Sequence, residues 1–177
     1  MATQTKPRSD SASLRAGWRR AAGPNGSSHL RVELASSRRA IGDAVRKIMR
    51  VAAEMRCRRA YRADLEIALR EALANAVIHG NESDPKKKVI VTCSFSRSRG
   101  ARLVVRDQGS GFDPRKVPDP RDHDRRFLHH GRGLLLMRAL VDRVEHRDGG
   151  REVVLHKAPC ASVRRRSAGP ARLSGGA

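Results

Sequence analysis

D-L-E-I-A-L-R-E-A-L-A-N-A-V-I-H-G, residues 64–80, reads as one amphipathic helix carrying two stripes side by side. Leu65, Ala68, Leu69, Ala72, Leu73 and Ala76 recur at three- and four-residue steps and form a core-facing stripe. Glu71, Asn75 and His79 stand at i, i+4 and i+8, one above another. At roughly 100° per residue they lie beside the apolar stripe, not opposite it. A carboxylate, a carboxamide and an imidazole therefore line the edge of a core, where a ligand can be half enclosed. A solvated polar edge fits the same pattern.

Outward from this helix the chain alternates strand and helix patterns. Upstream, Leu30, Val32 and Leu34 alternate with Arg31 and Glu33 as a half-buried strand. Ser36 or Ser37 then caps a helix whose apolar positions run from Ile41 to Met55, ending in the basic cluster Arg56, Arg58 and Arg59. That cluster reads as favourable charge at a helix C-terminus, or as a contact patch for an acidic partner. The second helix is predicted from Asp64, with Gly80-Asn81 as its stop. Downstream, Val89, Val91, Cys93 and Phe95 share one face of a strand, Ser96 to Gly100 turns, and Leu103 and Val105 continue a hairpin.

Two glycine-containing stretches follow. Asp107 to Phe112, D-Q-G-S-G-F, places an aspartate at a strand end with glycine at alternate positions, which lets backbone turn sharply and approach a ligand. H-G-R-G-L at 130–134 opens a third helix, and such a start offers free N–H donors and a positive dipole end to phosphate. Between them, residues 113–130 form a charged, proline-broken segment of the length of a lid. Asp122, His123, Asp124, His129 and His130 within it read as loop charges in preference to a metal cluster. A last hairpin spans 143–157 around D-G-G at 148–150.

The bulk numbers set bounds. The 177 residues fit one domain, here 28–157, with basic tails at 1–27 and 158–177 that read as disordered. An Arg/Ser-rich start also suits an organelle transit peptide, but no apolar helical face runs through it. A hydrophobic fraction of 38% and a mean hydropathy of −0.60 suit a modest core. No apolar run approaches the roughly 18 residues of a membrane span, so the expectation is a protein off the membrane, in the cytoplasm. Cys57, Cys93 and Cys160 are odd in number and lack C-x-x-C spacing, which reads as reduced thiols. The formal charge of +20 attracts anions, but one Trp, one Tyr and three Phe leave little for bases to stack on. Specific nucleic-acid binding is not expected; such a binder would show steeply salt-dependent affinity without its tails.

Taken in order, E-A-L-A-N-A-V-I-H-G, the strand-end D-x-G-x-G, the lid and G-R-G-L-L-L-M resemble the GHKL (Bergerat) ATP-binding fold. Within it they resemble the bacterial anti-sigma-factor serine/threonine kinases, from about Leu30 to Lys157. The resemblance implies an α/β, two-layer α+β sandwich with a mixed, mainly antiparallel sheet covered by helices on one face. It implies ATP and Mg²⁺ as cofactors, with Asn75 as metal ligand. Asp107 would accept from the adenine amino group, Gly109 and Gly111 would keep side chains off the base, and Gly131, Arg132, Gly133 and Leu134 would line the triphosphate. Glu71 would take the proton of a serine or threonine attacking the γ-phosphate. His79 reads as a bystander at the helix end. The implied activity is that of an anti-sigma factor that holds a sigma factor and phosphorylates a STAS-type antagonist, with a homodimer as a common assembly.

Departures from the resemblance are Gly150-Arg151-Glu152 where a Gly-Thr pair is usual, and His129 and His130 where some relatives carry arginine; Arg125 and Arg126 lie further back. One rival reading is an ATP-dependent partner-binding switch with little kinase activity. A second is a sensor histidine kinase fragment, for which residues 1–27 are too short and polar to supply a phosphoacceptor hairpin.

Overall fold

The strand and helix patterns settle into two layers. The computed structural model describes residues 19–23, 27–111 and 132–160. In chain order these are β1 (Arg19–Gly23), β2 (Ser27–Ala35), α1 (Arg38–Ala53), α2 (Arg59–Asn75), a π-helical turn (Ala76–Gly80), β3 (Lys88–Ser96), β4 (Gly100–Arg106), α3 (Arg132–Leu140), β5 (Arg143–Arg147), a 3-10 turn (Asp148–Gly150) and β6 (Glu152–Lys157). The strands form one sheet in the order β1-β2-β3-β4-β6-β5. Its pairings among the described residues are antiparallel throughout, where a mixed, mainly antiparallel sheet was expected.

Period-two alternation decides which face the helices cover. Leu30, Cys93, Leu103 and Leu155 are cross-strand partners in one row, and Val32, Val91, Val105 and Val153 in the next. All eight are buried. Against these rows α1 packs over β2 and β3, α2 over β4 and β6, and α3 over β5. The alternate residues, such as Arg31, Thr92 and Arg143, are exposed on the opposite face. The expected sandwich, with helices on one face, is the observed one.

Helix α1 starts where its cap predicts, with Ser37 Oγ accepting from the Ala40 N–H at 3.3 Å. Helix α2 differs from expectation at both ends. It begins at Arg59 and not Asp64, so Arg58 and Arg59 stand at a helix N-terminus, where the dipole disfavours cations. Tertiary anchoring offsets that cost. Tyr61 Oη donates to the Lys157 carbonyl at 3.3 Å, and Lys157 Nζ donates to Asp64 Oδ2 at 3.2 Å and to the Leu140 carbonyl at 2.6 Å. Burial, and secondarily the Asp142 charge, push the Tyr61 phenol up to about 12. At the far end the α-helix widens into the π turn, with the Asn81 N–H donating to the Ala76 carbonyl at 2.8 Å. The extra residue in that turn takes His79 out of the strict i, i+4, i+8 column that a pure α-helix gives.

Two further expectations are corrected. Residues 19–23, read as part of a disordered tail over 1–27, form strand β1 paired with β2 from Arg19↔Arg31 to Gly23↔Ser27. Pairing covers what would otherwise be the open edge of β2, and the arginine-rich composition hid it. The signal was the turn-forming composition of G-P-N-G at 23–26 in the sequence. Secondly, Cys57 and Cys160 are not reduced thiols but a disulfide, with Cα atoms 5.7 Å apart. A separation of 103 residues gives no spacing signature; only the fold brings the α1–α2 junction beside the chain leaving β6. Cys93 is free and buried, and burial pushes its thiol far above the usual range. Among the described residues no helix is long and apolar enough to cross a membrane.

Candidate functional site

A cavity of about 340 Å³ opens between the helices and the β4–β6–β5 end of the sheet. Its helical wall is Glu71, Asn75 and His79; its floor is Val105, Val153 and His146; Asp107, Gly111, Gly133 and Leu134 close its ends. Six of the residues singled out by sequence, Glu71, Asn75, Asp107, Gly111, Gly133 and Leu134, thus meet around one space.

The meeting depends on glycine. A Cβ on Gly133 would fall 2.9 Å from Glu71 Oε2 and 3.5 Å from both Oδ1 and Nδ2 of Asn75. The start of α3 therefore faces the polar stripe of α2 at Gly133, and the first turn of a helix leaves backbone N–H groups without intrahelical partners. Gly109 makes the tighter approach, since a Cβ there would lie 1.8 Å from the Gly80 carbonyl oxygen. Gly111 holds a left-handed φ of 81° beside Gly149. Of the remaining predicted residues, Gly131 lies outside the described residues, and Arg132 is placed as the first residue of α3. The segment 113–130, with its histidines and aspartates, also lies outside them.

Asp107 is fixed by its own loop. Its N–H donates to the Arg151 carbonyl at 3.0 Å, and its Oδ1 accepts from the Gly109 N–H at 2.8 Å. Partial burial raises its carboxyl above the ordinary aspartate value; the Gly109 hydrogen bond and then the Arg151 and Lys87 charges oppose the rise.

Two residues escaped the sequence reading. Asn81, taken only as a helix stop, is fully buried and ties three segments together. Its Nδ2 donates to the Lys88 carbonyl at 3.0 Å, and its Oδ1 accepts from the Gln108 N–H at 2.8 Å. Gln108 Oε1 in turn accepts from the Lys88 N–H at 2.7 Å. This network fixes the end of the π turn to the start of β3 and to the Asp107 loop. The sequence signal was slight: an amide immediately after a helix-ending glycine. His146, in the last hairpin, has no role in that reading, yet it lines the cavity; burial and then the Arg138 charge lower its imidazole below the usual histidine value. His79, read as a bystander, also lines the space.

Among the described residues no group of three or more His, Cys, Asp or Glu could hold a metal ion. The donors that do converge are the Asn75 carboxamide and the Glu71 carboxylate beside Gly133. Hard oxygen donors on one side of an open space fit an ion such as Mg²⁺, which keeps most of its coordination for water and phosphate. The arrangement is thus an apolar floor, an acid at one end and hard donors beside a helix N-terminus.

Residues 34–157 match the family model described as "Histidine kinase-like ATPase domain". The chain is similar to the protein named "Anti-sigma F factor" from Clostridium perfringens, with 29% identity over 99 residues, covering 53% of this chain and 70% of that one. It is similar to the protein of the same name from Clostridium acetobutylicum, with 31% identity over 99 residues, covering 53% and 68%. A shorter similarity, 38% over 49 residues, links it to the protein of that name from Shouchella clausii, covering 28% of this chain and 33% of that one.

Proposed function

The chain belongs to the histidine kinase-like ATPase domain family, and from that premise we propose that it is an ATP- and Mg²⁺-dependent protein serine/threonine kinase acting as an anti-sigma factor. In this reading it holds a sigma factor and phosphorylates a STAS-type antagonist. The observation that carries the proposal is the convergence of Glu71 and Asn75 on Gly133, in the cavity that also holds Asp107. The names of its relatives support the anti-sigma role.

Each residue has work suited to its place. Asp107 accepts from the exocyclic amino group of adenine, and the close backbone packing at Gly109 and Gly111 keeps that end free of side chains. Val105 and Val153 offer an apolar floor to the base. The backbone N–H groups and dipole of α3, with Arg132 and Leu134 beside Gly131 and Gly133, seat the phosphates. Asn75 would hold Mg²⁺, and the ion when bound would supply neutralisation of phosphate charge. Glu71, on the same wall, receives the proton of the partner's serine or threonine hydroxyl. With little covalent chemistry for the protein to do, positioning and charge neutralisation carry most of the rate.

The test pairs Asn75→Ala with Glu71→Ala, each incubated with labelled ATP and a STAS-domain partner. Asn75→Ala loses productive Mg-ATP binding; Glu71→Ala still binds ATP but transfers phosphate at least a hundredfold more slowly. Equal loss of ATP binding in both makes Glu71 structural. Tight ATP binding by the unaltered chain without any transfer removes the kinase assignment and leaves a nucleotide-dependent partner-binding switch.

A further inference from the structure

The two buried rows of the sheet end differently. The row Leu30, Cys93, Leu103, Leu155 continues onto β5 as Val144, apolar to its last strand. The row Val32, Val91, Val105, Val153 continues onto β5 as His146. At a position where the pattern of the fold calls for an aliphatic side chain, an imidazole stands instead. Unlike valine, the ring brings polar nitrogen atoms to the floor of the cavity.

The surroundings point to what the ring is for. Val105, Val153 and His146 are neighbours on adjacent strands and together floor the cavity. Asp107 lies two residues beyond Val105 and so on the same side of the sheet. Two apolar side chains are thus flanked by polar groups, a carboxylate on the β4 side and an imidazole on the β5 side. The strands from β4 to β5 span about 10 Å, which suits a flat heterocycle lying on the valines with an edge toward each polar group.

We propose that His146 is a base-contacting residue of the nucleotide site, donating a hydrogen bond to a ring nitrogen of the purine whose amino group Asp107 holds. The inference rests on the reading of this cavity as an ATP site. The two contacts are complementary: the carboxylate only accepts, whereas a neutral imidazole offers one N–H and one lone pair. Its lowered affinity for protons, from burial and from Arg138, keeps the ring neutral at pH 7. The pair would select a ring that presents an amino donor on one edge and a nitrogen acceptor on another.

The experiment measures the Kd of the full chain for ATP, 1-deaza-ATP, 3-deaza-ATP and 7-deaza-ATP, in the unaltered protein, His146→Leu and His146→Gln. Leucine keeps the apolar packing that Val144 shows the layer accepts; glutamine keeps a donor. His146→Leu weakens ATP about tenfold, the worth of one net hydrogen bond, and His146→Gln recovers most of the loss. At least one deaza analogue binds the unaltered protein about tenfold more weakly than ATP and does not distinguish it from His146→Leu. Unchanged ATP affinity in His146→Leu overturns the proposal. So does an equal loss for ATP and all three analogues, which marks a structural or phosphate-side role. Failure of the unaltered chain to bind ATP overturns the nucleotide reading itself, a result told apart from the others before any variant is made.

Discussion

An ionised carboxylate kept partly out of water costs the fold free energy, and Asp107 is such a group. Its folded-state pKa is raised by burial, so its ionised form is less stable in the folded chain than in the unfolded one. The sign follows from linkage: the penalty is absent below the unfolded value of about 4 and grows as pH rises through the window up to the folded value. Asp107→Asn keeps an oxygen to accept from Gly109 but removes the charge. Its melting temperature relative to the unaltered chain is therefore higher at pH 7 than at pH 4, while adenine-nucleotide binding is lost; thermal melts at the two pH values and an ATP titration check both. A stabilising loss of function is the mark of a residue kept for its ligand and not for the fold. At this scale the polar lining of the cavity was legible: Glu71, Asn75 and Asp107 each carry a distinctive side chain at a helix or strand position that periodicity fixes. Asn81 and His146 were not, because their importance lies in partners 7 to 27 residues away and in a cross-strand row, neither of which a local pattern displays.

The elements owe their closeness to glycines with opposite tolerances. At Gly133 an added methyl meets only the far end of the Glu71 side chain, which can rotate away. Alanine is also the better helix former by about 1 kcal/mol. Gly133→Ala therefore folds at least as stably as the parent chain, yet phosphotransfer falls on the order of a hundredfold if Glu71 is the base proposed above, because a displacement of about 1 Å at its carboxylate is enough. At Gly109 the methyl meets the Gly80 carbonyl, which is backbone and cannot step aside. Gly109→Ala is destabilised by about 1–3 kcal/mol or more, visible as a lowered urea midpoint. A Gly133→Ala variant that melts well below the parent chain would contradict this division. The glycine boxes were visible in the sequence, but not which glycine faces the Glu71 and Asn75 side chains and which packs against backbone. Helix α2 shows the same limit: its apolar stripe was readable, whereas its start at Arg59 depends on Tyr61 and Lys157 meeting across 96 residues. The π turn after Asn75 left no compositional trace at all.

The whole molecule is a sandwich whose covered face was legible from alternation and helical spacing, since a buried side of a strand or helix must be apolar at its own period. What alternation could not give was the far ends of the chain, where β1 is written in arginine and alanine and the Cys57–Cys160 bond joins positions with no local relation. That bond has a topological consequence. Covalently, the chain from 57 to 160 is a ring, and Glu71, Asn75, Asp107, Gly133 and His146 are all beads on it. A single peptide bond cut anywhere on a ring opens it without dividing it. A single cut introduced between Gly111 and Arg132 therefore yields one band on a non-reducing gel and two after reduction, whereas Cys160→Ser yields two in both. Two bands from the parent chain without reductant would mean that the ring is not closed. While it is closed, the site survives a scission as a single covalent object, its two walls still leashed to one another.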